Sequence, residues 1–373
     1  MTGPRFIGSE IYRHSSYGGG HPLRIPRVST VMDLARALGW LEGAAYVASP
    51  RAKPAALQHW HHADYVAALM RAEDRQSIAE GDRERYGLGT VSNPVFPEMF
   101  RRPATAAGGS ILAGEMLAQG GVVFHPAGGT HHGLPGRANG FCYLNDPVLG
   151  MLSLRAHGAR RIAYVDIDAH HPDGVAHGFH GDSDVLMISV HEENLWPRTG
   201  ALDEDAGGSA INLPVPRGFH DDDMGFVTDR LIGPAVARFA PDAIVLQCGA
   251  DGVEEDPQAH LGLSNNAHIA VLRALRPLAP RVLVLGGGGY NPWSVGRLWT
   301  RLWGEVIGAE MPARLPDRAE AVLRGLRFPG NRRGRNPPEH WFTTLADAPR
   351  GGAVSETVKA RVAELRAGRC MGL

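Results

Sequence analysis

Tyr164-Val165-Asp166-Ile167-Asp168-Ala169-His170-His171-Pro172-Asp173-Gly174 is the stretch on which the reading of this chain turns. It begins as a buried strand begins, short and apolar, after a helical pattern and the basic pair Arg160-Arg161. Side chains along a strand alternate between its faces, so Asp166, Asp168 and His170 are expected on one side. Two carboxylates and an imidazole on one face of a buried strand need partners or a cation, because bare buried charge is prohibitively costly. Asp168 and His170, two residues apart, offer a mixed oxygen and nitrogen chelate that suits Zn²⁺. A lone aspartate here would simply cap the next turn; three polar side chains closing an apolar run point to a site.

Outward from this stretch, apolar runs recur at 121–124, 161–167, 185–190, 243–247 and 282–285. Helical patterns at 147–157, 220–240, 265–278 and 293–308 separate or follow them, and Pro147 takes the favoured first position of its helix. Strands of nearly continuous apolar character alternating with helices predict a parallel sheet covered on both faces. No linker interrupts the rhythm, so residues 1–373 are read as one α/β domain, although length alone would suggest two or three. Ligands of such sheets bind beyond the carboxyl ends of the strands. All five runs lead there into polar residues: His131-His132, Asp166 to Asp173, Ser189 with His191, Asp251, and Gly286 to Tyr290.

Before the first run the signals are weaker. Residues 1–30 read as Pro-punctuated loop, 29–47 and 54–72 as helices, and 73–102 as a long stretch of turn formers. A helix resumes over 103–119. His59, His61 and His62 fall on the second helical pattern and are read as surface or packing residues. In the tail, Arg324, Arg327 and the cluster Arg332-Arg333-Gly334-Arg335 read as solvated surface, followed by an amphipathic helix over 354–367.

Hydrophobic residues at 43% and charged residues at 21% describe an ordinary globular chain. A net charge of -1 gives no field for nucleic acid or an anionic membrane, so neither is expected as a partner. No apolar run approaches the ~18 residues of a membrane span. The first residues lack a secretory signal, and Cys142, Cys248 and Cys370 make no disulfide framework. A cytoplasmic location is therefore expected.

The chemistry converges on one centre. Asp251, after Leu246-Gln247-Cys248-Gly249-Ala250, is the natural third metal ligand, and three protein ligands leave zinc an open position. Gly128-Gly129-Thr130-His131-His132 brings adjacent imidazoles, the side chains best suited to move a proton near neutral pH. Asp166 and Asp173 remain to fix their tautomers. Tyr290, after four glycines, presents a phenol that would stabilise an oxyanion. The glycine run has no following Lys-Ser/Thr and forms no GxGxxG, so a phosphate loop is excluded.

These residues resemble the zinc-dependent histone deacetylase superfamily. The likeness rests on Gly128-Gly129-Thr130-His131-His132, on Asn139-Gly140-Phe141-Cys142-Tyr143-Leu144-Asn145-Asp146, on 166–171 and on Gly286 to Asn291. It runs from Phe6 to about Lys359, includes His21 to Ser29, and is nearest to bacterial histone-deacetylase-like proteins, the acetoin-utilisation type among them. It implies a single-domain arginase–deacetylase α/β fold with an eight-stranded parallel sheet and hydrolysis of N-acyl-lysine or related acylamines. By position it implies Asp168, His170 and Asp251 as ligands of Zn²⁺, with Fe²⁺ as the alternative. His132 would be the main base and then acid, partnered by Asp173. His131, partnered by Asp166, would tune the electrostatics, and Tyr290 would polarise the acyl carbonyl. Gly140, Phe141 and Trp196 match the channel walls, and Arg27 an arginine serving acetate exit. A K⁺ site would take main-chain oxygens of Asp166, Asp168, His170 and Val190 with the Ser189 hydroxyl.

The chain departs from the family at the rim. Ser92 stands where an acid often grips the substrate backbone, Trp196 where phenylalanine is common, and Gln258 where an apolar residue is usual. Pro172 replaces a glycine after the paired histidines. The expected substrate is an acyl-lysine of a peptide or protein, with acetylpolyamine or another small acylamide as the alternative that Ser92 favours. A two-manganese ureohydrolase shares the fold, but Gly252-Val253 after Asp251 lacks its second acidic cluster. A non-catalytic module would have lost a ligand, a histidine or Tyr290, and none is lost. Oligomeric state is left open.

Overall fold

A computed structural model describes residues 3–328, 331 and 334–368. Among them, eight strands make one sheet: β1 Arg5–Gly8, β2 Tyr46–Ala48, β3 Gly121–His125, β4 Ile162–Asp166, β5 Val185–Glu192, β6 Ala210–Val215, β7 Ala243–Gln247 and β8 Arg281–Leu285. Their order is β2-β1-β3-β8-β7-β4-β5-β6, and every pairing is parallel. The apolar runs explain why. Ala163 and Val165 of β4, Ile244 and Leu246 of β7, and Val282 and Val284 of β8 enter the core on one face. Ile162 and Tyr164, Ala243 and Val245, and Leu283 and Leu285 enter it on the other. A strand buried on both faces needs apolar residues at every position. Each large aliphatic side chain so buried contributes about 1.5–3 kcal/mol.

Helices Val28–Ala37, Asn265–Leu275 and Pro292–Ile307 cover the first face, through residues such as Met32, Leu272 and Trp303. Arg101–Met116 and Asp146–Ala156 cover the second through Ala113, Met151 and Leu154. Register then sets the site: Asp166 at the end of β4 lies opposite Ser189 of β5 and Gln247 of β7. A further apolar cluster, with Tyr17, Tyr65, Phe96 and Tyr143, lies under the connections and includes Tyr290.

The five expected strands are present, and three more join them. β1 lies inside the stretch expected as loop, β2 across the end of the helical pattern at 29–47, and β6 in a region with no assignment. The helix expected over 29–47 ends at Ala37, and the one over 54–72 is broken into Pro54–Leu57 and Ala63–Arg75. His61 falls in that break, where it is buried, accepts from the Asn145 backbone N–H at 3.0 Å through Nε2, and faces Pro135 O. The pattern over 220–240 is interrupted by a π-turn, Thr228–Ile232. Cys142 and Cys248 are buried thiols. Cys370, Arg332 and Arg333 lie outside the described residues.

Candidate active site

The pleat does not carry Asp168 and His170 as expected: β4 stops at Asp166. Beyond it the chain turns on its own side chains. Asp166 Oδ1 accepts from the Asp168 N–H at 2.9 Å, and Asp168 Oδ1 accepts from the His170 N–H at 3.0 Å. Such local carboxylate-to-backbone bonds replace the ladder as the sheet ends. The three side chains still converge. His170 Nδ1 lies 3.2 Å from Asp168 Oδ1 and 3.0 Å from Asp251 Oδ2.

One ligand atom from each of Asp168, His170 and Asp251 lies within 4.8 Å of the other two. The two carboxylates are fully buried, and burial opposes their charge. His131 and His170 nevertheless hold Asp168 far below the ordinary carboxylate range. In turn burial opposes charge on His170, but its bonds to Asp168 and Asp251 lift it to about 10. The cluster thus demands positive charge, and its oxygen and nitrogen donors fit a dication. Glycines keep that space clear. A Cβ on Gly288 would meet Asp251 Oδ2 at 2.0 Å, and one on Gly249 would meet Asp168 Oδ2 at 2.0 Å.

The paired histidines have separate partners. His131 Nδ1 lies 2.8 Å from Asp166 Oδ2, and His132 Nδ1 lies 2.7 Å from Asp173 Oδ1. Burial alone would lower His131, but the Asp166 and Asp168 carboxylates outweigh it and raise it to about 9. Burial and the adjacent His131 hold His132 down at about 3. A dication on the ligand cluster would neutralise part of the carboxylate field that raises His131.

Ser92, His132, Gly140, Phe141, His170, Trp196, Gln258 and Tyr290 line one channel of about 170 Å³. His132 reaches this wall and His131 does not. Trp196 packs edge-on to His132 at 4.6 Å between ring centroids and stays 42% exposed at the mouth. It requires a glycine opposite, because a Cβ on Gly140 would sit 2.2 Å from its ring. Burial and the Asp251 and Asp168 charges push the Tyr290 phenol well above its ordinary value, so it keeps its proton and can donate.

Behind the ligands a cavity of about 50 Å³ is lined by Arg27, Arg102, Tyr12 and Tyr17 as well as His131 and Tyr290. Arg27 Nη1 donates to Gly287 O at 2.8 Å. Ser189 Oγ lies 2.8 Å from His191 Nδ1, and Val190 is buried beside it. The expected ligands converge, the expected channel residues share one wall, and Arg27 lines the inner cavity.

A family model described as the histone deacetylase domain matches residues 21–306. The chain belongs to the histone deacetylase family. Among relatives of this family, it is 33% identical over 327 residues to the acetoin utilization protein AcuC of Bacillus subtilis (strain 168), covering 83% of this chain and 84% of that one. It is 33% identical over 310 residues to histone deacetylase 9 of Arabidopsis thaliana, covering 81% and 72%. A crystal structure of a histone deacetylase homologue from Aquifex aeolicus superposes with a TM-score of 0.92 at 34% identity, covering 97% of this chain and 99% of that one. A homologue complexed with SAHA superposes equally well. The arginase–deacetylase fold and deacetylase-type hydrolysis follow from membership.

Several supporting residues of this histone deacetylase family site escaped sequence reading. Tyr164 Oη donates to Asp166 Oδ2 at 2.6 Å, and Asn139 Nδ2 donates to Asp173 Oδ2 at 3.0 Å. Asp146 accepts from the N–H groups of Gly129 and Thr130 and so shapes the turn before the histidines. Asp256 accepts from Tyr290. An acid or amide next to a catalytic motif was the available signal, but only the tertiary fold shows which neighbour it grips.

Proposed function

We propose that this chain is a zinc-dependent deacylase, one catalytic domain over 1–373, that removes acetyl or other acyl groups from N-acyl-lysine and releases acetate. The convergence of Asp168, His170 and Asp251 beside the His131–Asp166 and His132–Asp173 pairs, at the foot of a narrow channel, carries the reading. A zinc ion held by the three ligands would supply Lewis-acid polarisation of the acyl carbonyl and an acidified water. The chain does the rest. Gly140, Phe141 and Trp196 enclose the methylenes of the acylated amine and exclude water. With Nδ1 bonded to Asp173, His132 has Nε2 free to take a proton from water and return it to the leaving amine. His131 tunes the field at the pair, and Tyr290 Oη donates to the oxygen that gains charge. Arg27 faces the inner cavity by which acetate leaves. K⁺ beside Asp166, Asp168, His170, Ser189 and Val190, sensitivity to hydroxamate chelators and a cytoplasmic location complete the reading. Among the described residues no helix is long and apolar enough to cross a membrane.

The rim keeps a second substrate in view. Ser92 and Gln258 put no charge on the channel wall, which favours small acylamides such as acetylpolyamines over a gripped peptide backbone. A panel of acetyl-lysine peptides, longer acyl-lysines and acetylated polyamines, each with and without a hydroxamate, tests both. Hydrolysis of acyl-lysine peptides with hydroxamate inhibition is expected; turnover of none of the panel would remove the proposal.

A further inference from the structure

Tyr290 stands at the end of a glycine run whose members Gly287 and Gly289 both have φ of +135°. Only glycine adopts such backbone at little cost, and the run is held in it by Arg27 donating to Gly287 O and by the Gly288 N–H donating to Asp168 Oδ2. At Tyr290 itself the backbone N–H is held by a buried side chain. Asp256 is 3% exposed, and its Oδ2 accepts from the Tyr290 N–H at 2.6 Å. Its Oδ1 accepts from the N–H of Gln258, the rim residue, at 2.9 Å. Asn291 Nδ2 donates to Glu255 O at 3.2 Å and stitches the same two segments a second time. The Asp256 carboxyl group is the acceptor of the Tyr290 N–H, and losing it leaves that N–H buried without this partner.

We infer that Asp256 is a positioning residue for Tyr290, tying the channel rim to the phenol that meets the acyl oxygen. The inference rests on the role proposed for Tyr290. Asp256 does not itself line the channel; its hydrogen bonds reach the wall through the backbone N–H groups of Tyr290 and Gln258. Its removal should therefore lower kcat by about 10–100-fold, as loss of a supporting hydrogen-bond partner does, with KM and metal content nearly unchanged.

A double-mutant cycle in the zinc-loaded full-length protein tests this, with kcat, KM and metal content measured for Asp256→Ala, Tyr290→Phe and the double variant. Asp256→Asn carries the same cycle if the alanine variant fails to fold, since it keeps one acceptor oxygen and should fall between wild type and alanine. If Asp256 acts through Tyr290, adding Asp256→Ala to Tyr290→Phe costs less than about twofold more. An undiminished kcat in Asp256→Ala, metal lost in parallel with kcat, or a full multiplicative loss in the double variant would overturn the inference. Full turnover of Tyr290→Phe alone would instead overturn the reading beneath it.

Discussion

Gly288 shows how tightly the ligand cluster is built. Its N–H donates to Asp168 Oδ2 at 2.6 Å, and a methyl group on it would overlap Asp251 Oδ2. Gly288→Ala should fold, lose metal affinity and lose activity together, read by metal analysis after dialysis; a variant with a full metal complement would contradict the crowding. Asp168→Ala removes a ligand outright and should lose metal and activity alike. Tyr290→Phe should keep its metal and lose roughly 10²–10³-fold in kcat, the usual cost of one oxyanion donor. Undiminished turnover would refute its role. At this scale the sequence was highly legible, because carboxylate, imidazole and phenol side chains closing apolar runs have few structural uses. What it hid were supporting contacts: Asn139 to Asp173 joins residues 34 apart in the chain, and Tyr164, two residues before Asp166, reads as one more core residue of an apolar run.

At the scale of elements, the central strands were legible because burial on both faces forces an uninterrupted apolar run. Edge strands carry less of that signal. β2 is only three residues of intermediate or full exposure, and β1 sits in a segment whose prolines and glycines imitate a loop. The continuous helix expected over 54–72 fails because Trp60, His61 and His62 leave the helix so that His61 can satisfy the Asn145 N–H. Helix packing gives a test with two opposing effects. Replacing an interior helical glycine by alanine ordinarily gains up to about 1 kcal/mol. At Gly108, inside the helix Arg101–Met116, a Cβ would lie 2.0 Å from Pro50 O and 2.8 Å from the Ala52 nitrogen. Both obstacles are backbone, so overpacking should win and Gly108→Ala should lose about 1–3 kcal/mol by urea unfolding. A stabilised variant would show that the segment at 50–52 yields freely.

Across the whole molecule, neutral buried imidazoles make stability depend on acidity. Burial holds His61 and His171 down at about 4, and burial with the neighbouring His171 holds His191 at about 3, against an ordinary 6.5. Well above pH 6.5 these groups are neutral whether folded or unfolded and leave stability untouched. As pH falls from 6.5 toward 4 the unfolded chain takes up protons that the folded one refuses, costing about 1–3 kcal/mol for each. The melting temperature should therefore fall by several degrees between pH 7.5 and 5, and less steeply in His61→Gln; a flat profile would contradict the burial. The central claim is that one dication held by Asp168, His170 and Asp251 sustains amide hydrolysis, and zinc titration of the chelator-stripped protein against an acetyl-lysine peptide tests it most directly. Turnover should be absent without metal, rise linearly and level off at one zinc per chain; full turnover in the stripped protein, or a plateau only at two metals per chain, would contradict it.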